Sequence, residues 1–428
     1  MKRAILDNWA LFAGILMLML ANGLMMTLLT IRGDELGFSA TVIGVMQAGY
    51  PAGALAGTLL APRLIVKSGH VRAFAALASL CSISAIVHLL TEDPVSWTLM
   101  RVLAGFCFPG LYVITESWLN AKAANHERAQ LLSVYFILQF GGQALGAALI
   151  GLPSVSVMVL FGTVSILISL SIVPLLLTAG SPPDYEVPER MPIGRLAAIS
   201  PMAVSGAFLS GASMGCLFAS APLYGLDLGM SRGQAAGISV ALTLAGAAAQ
   251  YPVGWVADRI DRRGAVIGLS LIGIAVAAFS LLQPGDGALV ARFALMAVAS
   301  VPVYSVCLAH ANDQLRRGQV VAASGAMAFA LNAGIFAGVF TGPASMDMAG
   351  RTGLLLVLLG LFSVTGGVAV LRRVRREAPE ETGPVQAVGS FGQPQTGYLS
   401  AETMMAEEEE TRPQAREEEE DGEVSSQD

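Results

Sequence analysis

Apolar runs of about twenty residues, separated by short polar breaks, recur from Trp9 to Leu371. Wound as a helix, a run of that length crosses a hydrocarbon core of roughly 30 Å. The pattern predicts twelve such helices, over 9–31, 41–61, 73–91, 97–119, 129–150, 155–178, 196–222, 234–256, 265–283, 288–311, 319–341 and 353–371. The expected fold class is all-α and integral to the membrane, and the composition agrees. The 428 residues are 54% hydrophobic and 13% charged, against roughly 45–50% and about 25% for a soluble domain. A soluble core of this length has no room for so much apolar surface. Met1-Lys2-Arg3 and the run behind it imitate a secretory signal, but Trp9 to Ile31 is too long for one and reads as a retained first helix.

Charge placement gives the orientation. With both termini in the cytoplasm, eighteen of the 25 lysines and arginines fall in inner segments, and only Arg32, Arg232 and Arg351 fall in outer loops. This asymmetry is what the positive-inside rule predicts for an even number of crossings. A proline-broken stretch from Ser181 to Arg190 divides the spans six and six: an N-terminal bundle (1–178), a cytoplasmic linker (179–195) and a C-terminal bundle (196–371). A shift of 192 residues lays Gly33, Leu36, Gly37 and Ser39 on Gly225, Leu228, Gly229 and Ser231, and Tyr112 on Tyr304. Agreement at equivalent topological positions favours an internal duplication. Residues 372–428, with runs at Glu407 to Glu410 and Glu417 to Asp421, read as a disordered acidic cytoplasmic tail that accounts for the net charge of −6.

Chemistry-bearing residues are sparse. The four cysteines, Cys81, Cys107, Cys216 and Cys307, lie in apolar runs with no paired spacing, so neither a disulfide framework nor a metal site is expected. The chain has no glycine-rich phosphate-binding loop for direct use of ATP, and no cofactor is implied. An ionised side chain at mid-bilayer costs roughly 2.5–3.5 kcal/mol, so those that persist line a cavity or pair with one another. Glu116, deep in the fourth span and one turn beyond Tyr112, is the main one. A carboxylate in a partly dry cavity can load and release a proton near neutral pH, whereas the plainer reading pairs Glu116 with loop bases such as Arg128.

Several motifs carry a family resemblance. After the eighth span the sequence runs Gly254-Trp255-Val256-Ala257-Asp258-Arg259-Ile260-Asp261-Arg262-Arg263. This resembles the G-x-x-x-D-R-x-G-R-R loop of the major facilitator superfamily, with Asp261 where glycine is usual. The equivalent stretch after the second span keeps Gly57 and the bases but has Ala61 in place of the acid. Arg101 to Gly110 looks like the family's R-x-x-x-G-x-x-x-x-G signature, which is associated with proton coupling. The segments Glu116 to Asn120, Gln250 to Trp255 and Leu308 to Asp313 resemble the YcaD-like branch. The antiporter signature of the fifth span is missing: Phe140 to Gly146 lacks the Gly-Pro pair.

The resemblance implies two pseudo-symmetric six-helix bundles around a cavity lined by helices 1, 4, 7 and 10, with helices 2, 5, 8 and 11 supporting and gating it. It adds Arg101 to Glu116 as a proton-coupling residue, the plainer reading of Arg101 being a snorkelling guanidinium, and it implies a conformational latch of Gly254, Asp258, Arg259, Arg262 and Arg263. The residues expected in the cavity are Asn22, Gln47, Tyr112, Gln139, Gln143, Gln250, Tyr304 and Asn332, although polar groups in a bundle also serve as interhelical ties. Arg292 reads as a snorkelling residue at the start of the tenth span. The expected protein is a secondary active transporter of the bacterial inner membrane, not an enzyme. It would be a monomer in lipid that moves a small organic solute with protons and has no nucleic-acid partner. A sensor or assembly factor that keeps the fold without flux is the alternative.

Overall fold

The computed structural model describes residues 8–122, 125–177, 191–283, 288–316 and 319–375; most of the expected linker and all but the start of the tail lie outside them. The described residues are helical throughout, with no strand. The first half holds α1 (Trp9–Glu35), α2 (Ala40–Ser68), α3 (His70–Leu90), α4 (Pro94–Lys122), α5 (Asn125–Ala148) and α6 (Val157–Leu177). A short helix, Ile193–Ile199, leads into α7 (Pro201–Asp227), α8 (Arg232–Ala257), α9 (Arg262–Leu282) and α10 (Leu289–Asn312). The last helical stretch, Val320–Arg375, breaks at Ala349 and Gly350 and is therefore two helices, α11 (320–348) and α12 (351–375). α1 and α3 to α10 satisfy the length and hydropathy of a membrane span, as does the stretch that holds α11 and α12 together. At 29 residues α2 is long enough, but it is diluted by Gln47, Tyr50, Pro51, Pro62 and many glycines and alanines.

The helix ends differ from the sequence expectation in both directions. Expected to stop at 61, α2 continues to Ser68, and only Gly69 separates it from α3. Gly69 has φ +78°, which glycine adopts without steric cost, so one residue makes the turn. α7 begins at Pro201 instead of 196, because proline suits a first helical position and cannot continue the preceding short helix.

The two halves pack by the same plan. In the first, α1 lies against α5 and α6, α4 against α2 and α3, and α3 against α6; in the second, α7 lies against α11 and α12, α10 against α8 and α9, and α9 against α12. The 192-residue repeat has a conformational basis. Gly37 (φ +77°) and Gly229 (φ +81°) end the first helix of each half, with the Phe38 N–H donating to the Gly33 carbonyl and the Met230 N–H to the Gly225 carbonyl. Ser39 and Ser231 then cap the next helix. Across the halves, α2 meets α11 and α5 meets α8. The connections from α1 to α2, α5 to α6, α7 to α8 and α11 to α12 lie at one end of the bundle, here the base-poor face. The end that holds Arg63, Lys67, Arg259, Arg262, Arg263 and Arg372 is the base-rich face.

Glycines set the closest approaches. A Cβ on Gly53 would stand 2.0 Å from the Val102 carbonyl oxygen, and one on Gly105 would stand 2.0 Å from that of Tyr50. α2 and α4 therefore touch backbone to backbone, and the arginine four residues before Gly105 is carried into the same contact.

Candidate functional site

Arg101 enters from α4, and its side chain is buried among α1, α2 and α4. Its Cζ lies 4.6 Å from the centre of the Tyr50 ring, and one Nη is 2.7 Å from the Met26 Sδ. Among the described residues no carboxylate pairs with it, and its Nε has no hydrogen-bond partner. A cation over a ring face gains about 0.5–2 kcal/mol. That is well short of the several kcal/mol needed to dehydrate a guanidinium.

Fifteen residues further along α4, Glu116 is buried too. Its Oε1 accepts the Tyr135 hydroxyl at 2.7 Å, which ties α4 to α5. The two ionisable groups are about 22 Å apart along the helix and do not pair. Between them, Tyr112 accepts a hydrogen bond from the Asn22 amide of α1 at 3.3 Å. The side chain of Arg128, the expected loop partner of Glu116, lies outside the described residues.

The uncharged polar residues divide by what they touch. The Gln47 amide donates to the Met26 carbonyl (2.8 Å) and to Thr30 Oγ1 (2.6 Å), tying α2 to α1. Gln250 accepts the Ser305 hydroxyl at 3.0 Å, tying α8 to α10. Asn332 donates to the Ala328 carbonyl of its own helix, and Tyr304 packs in the apolar core of the second half. Among the described residues, the Gln143 amide reaches the Met19 sulfur alone, at 3.9 Å. Gln139 stands apart: it is fully buried on α5, and among the described residues neither atom of its amide has a partner. Buried amides are almost always satisfied, so one left open is a place for a solute group or an ordered water.

At the base-rich face the charged loop ties one half together. Arg262 reaches Asp313 at 3.0 Å and Asp258 at 3.9 Å, joining α9 to the ends of α10 and α8. Burial pushes the Asp313 carboxyl above the ordinary carboxylate range, and Arg262 pulls it back. Asp261 caps α9 by accepting the Arg263 N–H at 3.0 Å, and its carboxylate faces the Arg263 and Arg373 side chains. Arg263 also donates to the Arg372 carbonyl at the end of α12. Arg259 lies over the Trp255 ring, and the Gly254 carbonyl accepts the Asp258 N–H.

Sequence reasoning missed Asp313 as the nearer partner of Arg262 and treated Asp261 only as a departure from the motif. In the first half Ala61 is fully buried, and a Cβ on Gly110 of α4 would stand 3.2 Å from its own Cβ. Arg292 is buried, not snorkelling: it donates to the Gln283 carbonyl just past the end of α9.

At the base-poor face the halves are joined. Asp347 of α11 accepts the Ala40 and Thr41 backbone N–H groups of α2 at 3.1 and 2.7 Å. Arg232 of α8 donates to the Val155 carbonyl before α6 at 3.0 Å. A Cβ on Gly233 would lie 3.1 Å from the Gly151 Cα.

These features define a multi-pass membrane protein built as two facing six-helix bundles, with buried charge in the first and a charged helix-end loop in the second. The sequence profile of the Major Facilitator Superfamily matches residues 11–201 and 203–409, and the chain belongs to that superfamily. Its relatives place it in the YcaD-like group. A protein of Yersinia enterocolitica described as an uncharacterized MFS-type transporter is 26% identical over 88% of this chain and 97% of its own length. The MFS-type transporter YcaD of Salmonella arizonae is 27% identical over 77% of this chain and 86% of its own length. Among solved structures, the nucleoside transporter NupG superposes with a TM-score of 0.71 at 13% identity, covering 87% of this chain and 100% of its own. The E. coli fucose:proton symporter FucP superposes with a TM-score of 0.55 at 15% identity, covering 86% and 99%. At these identities the superpositions show the fold.

Proposed function

We propose that the protein is a secondary active transporter that moves a small organic solute across the bacterial inner membrane by alternating access, coupled to protons through Glu116 and Arg101. The observation that carries this reading is the pair of buried ionisable groups on α4: Arg101 over the Tyr50 ring and against the Met26 sulfur, and Glu116 on the Tyr135 hydroxyl. Such groups persist in a bilayer where protonation or solute binding uses them. The solute sits between the halves, against the open Gln139 amide and the Asn22 and Tyr112 pair. Both termini are cytoplasmic, which makes the base-rich face the inner one. The unit is a monomer in lipid. The C-terminal loop of Asp258, Arg259, Arg262 and Arg263 holds its own half rigid while the halves rock.

A thermal-shift screen of the purified protein against metabolite and drug pools identifies the solute, because a ligand that binds the folded state raises its unfolding midpoint. That solute, in proteoliposomes, is expected to accumulate against its gradient until a protonophore collapses the proton gradient. Glu116→Gln is expected to abolish accumulation while leaving the unfolding midpoint within a few degrees of the parent. Accumulation that survives both treatments would refute proton coupling; binding without flux would assign the protein to sensing.

A further inference from the structure

The second helix of each half begins with a serine cap, yet the two starts are completed differently. At α8 the cap is local: Gln234 N–H donates to Ser231 Oγ and the Gln234 side chain accepts the Ser231 N–H, a reciprocal box within one half. At α2, Ser39 Oγ accepts the Val42 N–H and its hydroxyl also bonds the Asp347 carboxylate, while the Ile43 N–H takes the Ser39 carbonyl as the first regular helical bond. The two remaining donors of the first turn, Ala40 and Thr41, point to the Asp347 carboxylate, one to each oxygen. Of the four N–H groups that a helix start leaves open, Val42 is served by its own cap, whereas Ala40 and Thr41 are served only while α11 of the other half is docked. A carboxylate there also meets the positive end of the α2 dipole. Asp347 lies just before the break at Ala349 and Gly350 (φ +61°), which fixes where α11 ends.

We propose that Asp347 is the residue that holds the base-poor gate shut, a carboxylate on α11 that completes the N-cap of α2 across the interface and releases it when the halves part. This rests on the alternating-access reading above. It assigns a gating role to a residue outside the cavity and outside the charged loop at the opposite face.

The gate is read by the alkylation rate of a cysteine placed behind it. Ala48 is buried in the seam against Ala219 and Val339, so Ala48→Cys reacts with a hydrophilic maleimide only when the halves separate there. The four native cysteines are buried, and the parent protein supplies the baseline. In lipid nanodiscs, Asp347→Ala is expected to speed alkylation about fivefold, the scale of one lost helix cap, with Asp347→Asn intermediate and Asp347→Glu near the parent.

Ala40→Pro removes one of the two N–H donors from the other side of the contact. It keeps a backbone that a first helical residue accepts, so it is expected to speed alkylation too, and to add little to Asp347→Ala. Glu92→Gln, at an exposed carboxylate that pairs with Arg32 of its own half, is expected to change nothing. Rates unchanged in both Asp347→Ala and Ala40→Pro would overturn the gate and leave the transport reading standing. Absence of flux in proteoliposomes would overturn the transport reading and leave the gate standing.

Discussion

The two halves share one packing plan and have divided the polar work between them. The first half buries Glu116 and Arg101 on α4, the latter with no carboxylate against it among the described residues, and has an alanine where a latch acid would stand. The second half has no such pair on α10; its charges gather at the helix ends, in the loop of Asp258 to Arg263 with Asp313, and in Arg292 on the Gln283 carbonyl. Buried charge without a partner costs stability and invites a functional use, whereas paired charge at helix ends stabilises and fixes geometry. Under the proposed function, the first half is the energy-coupling half and the second the more rigid frame.

The sharpest way to break that division is to neutralise the two topologically equivalent arginines. Arg101→Met removes a dehydrated cation that lacks a carboxylate. It is expected to lower coupled transport by an order of magnitude or more while leaving the unfolding midpoint unchanged or raised. Arg292→Met strips a helix-end carbonyl of its donor. It is expected to cost about 1 kcal/mol of stability with transport nearly intact. Flux assays and thermal unfolding on both variants check this, and the reverse outcome would exchange the roles of the halves.

A smaller effect tests why the first half has no latch. Ala61 is sealed against α4 opposite Gly110, so there is no space in which an acid could reach the loop bases. Ala61→Asp is expected to destabilise the protein by about 3 kcal/mol, read from unfolding in nanodiscs. An Ala61→Asp protein as stable as the parent would show that the latch is latent, not lost.

The fold was largely legible in the sequence because hydrocarbon selects for apolar runs, and each helix has its run. The helix ends were less legible, since hydropathy marks where a helix is dehydrated and not where it stops: α2 runs past Pro62 to Ser68, and α11 runs to 348. Arg101 and Glu116 stood out as rare charges inside apolar spans. Asp347 did not, because its partners on α2 are 306 and 307 residues away and are backbone N–H groups with no side-chain signature. Asp261 broke the motif at its glycine, and only the structure shows that the replacement caps α9.

The smallest predicted effect separates the two acids facing Arg262. Asp258 is the motif residue, but it lies 3.9 Å away with its side chain 37% exposed; Asp313 lies 3.0 Å away and is 19% exposed. Less water and a shorter distance both strengthen an ion pair, so a double-mutant cycle of Arg262→Ala with Asp313→Ala is expected to give about 1–2 kcal/mol of coupling. The cycle with Asp258→Ala is expected to give about 0.5 kcal/mol or less. Raising the salt concentration should erase the Asp258 coupling first, because exposed pairs are screened most. Acid should act on the other pair: burial holds the Asp313 carboxyl above the usual range against the pull of Arg262, so it takes up its proton at a higher pH than an exposed aspartate would. The Asp313 coupling is then present at neutral pH and fades as the pH falls through that raised value, while the frame of the second half loosens at α10. No coupling to Asp313 alongside a measurable one to Asp258 would return the latch to Asp258 alone, and equal, acid-insensitive couplings would overturn the ranking.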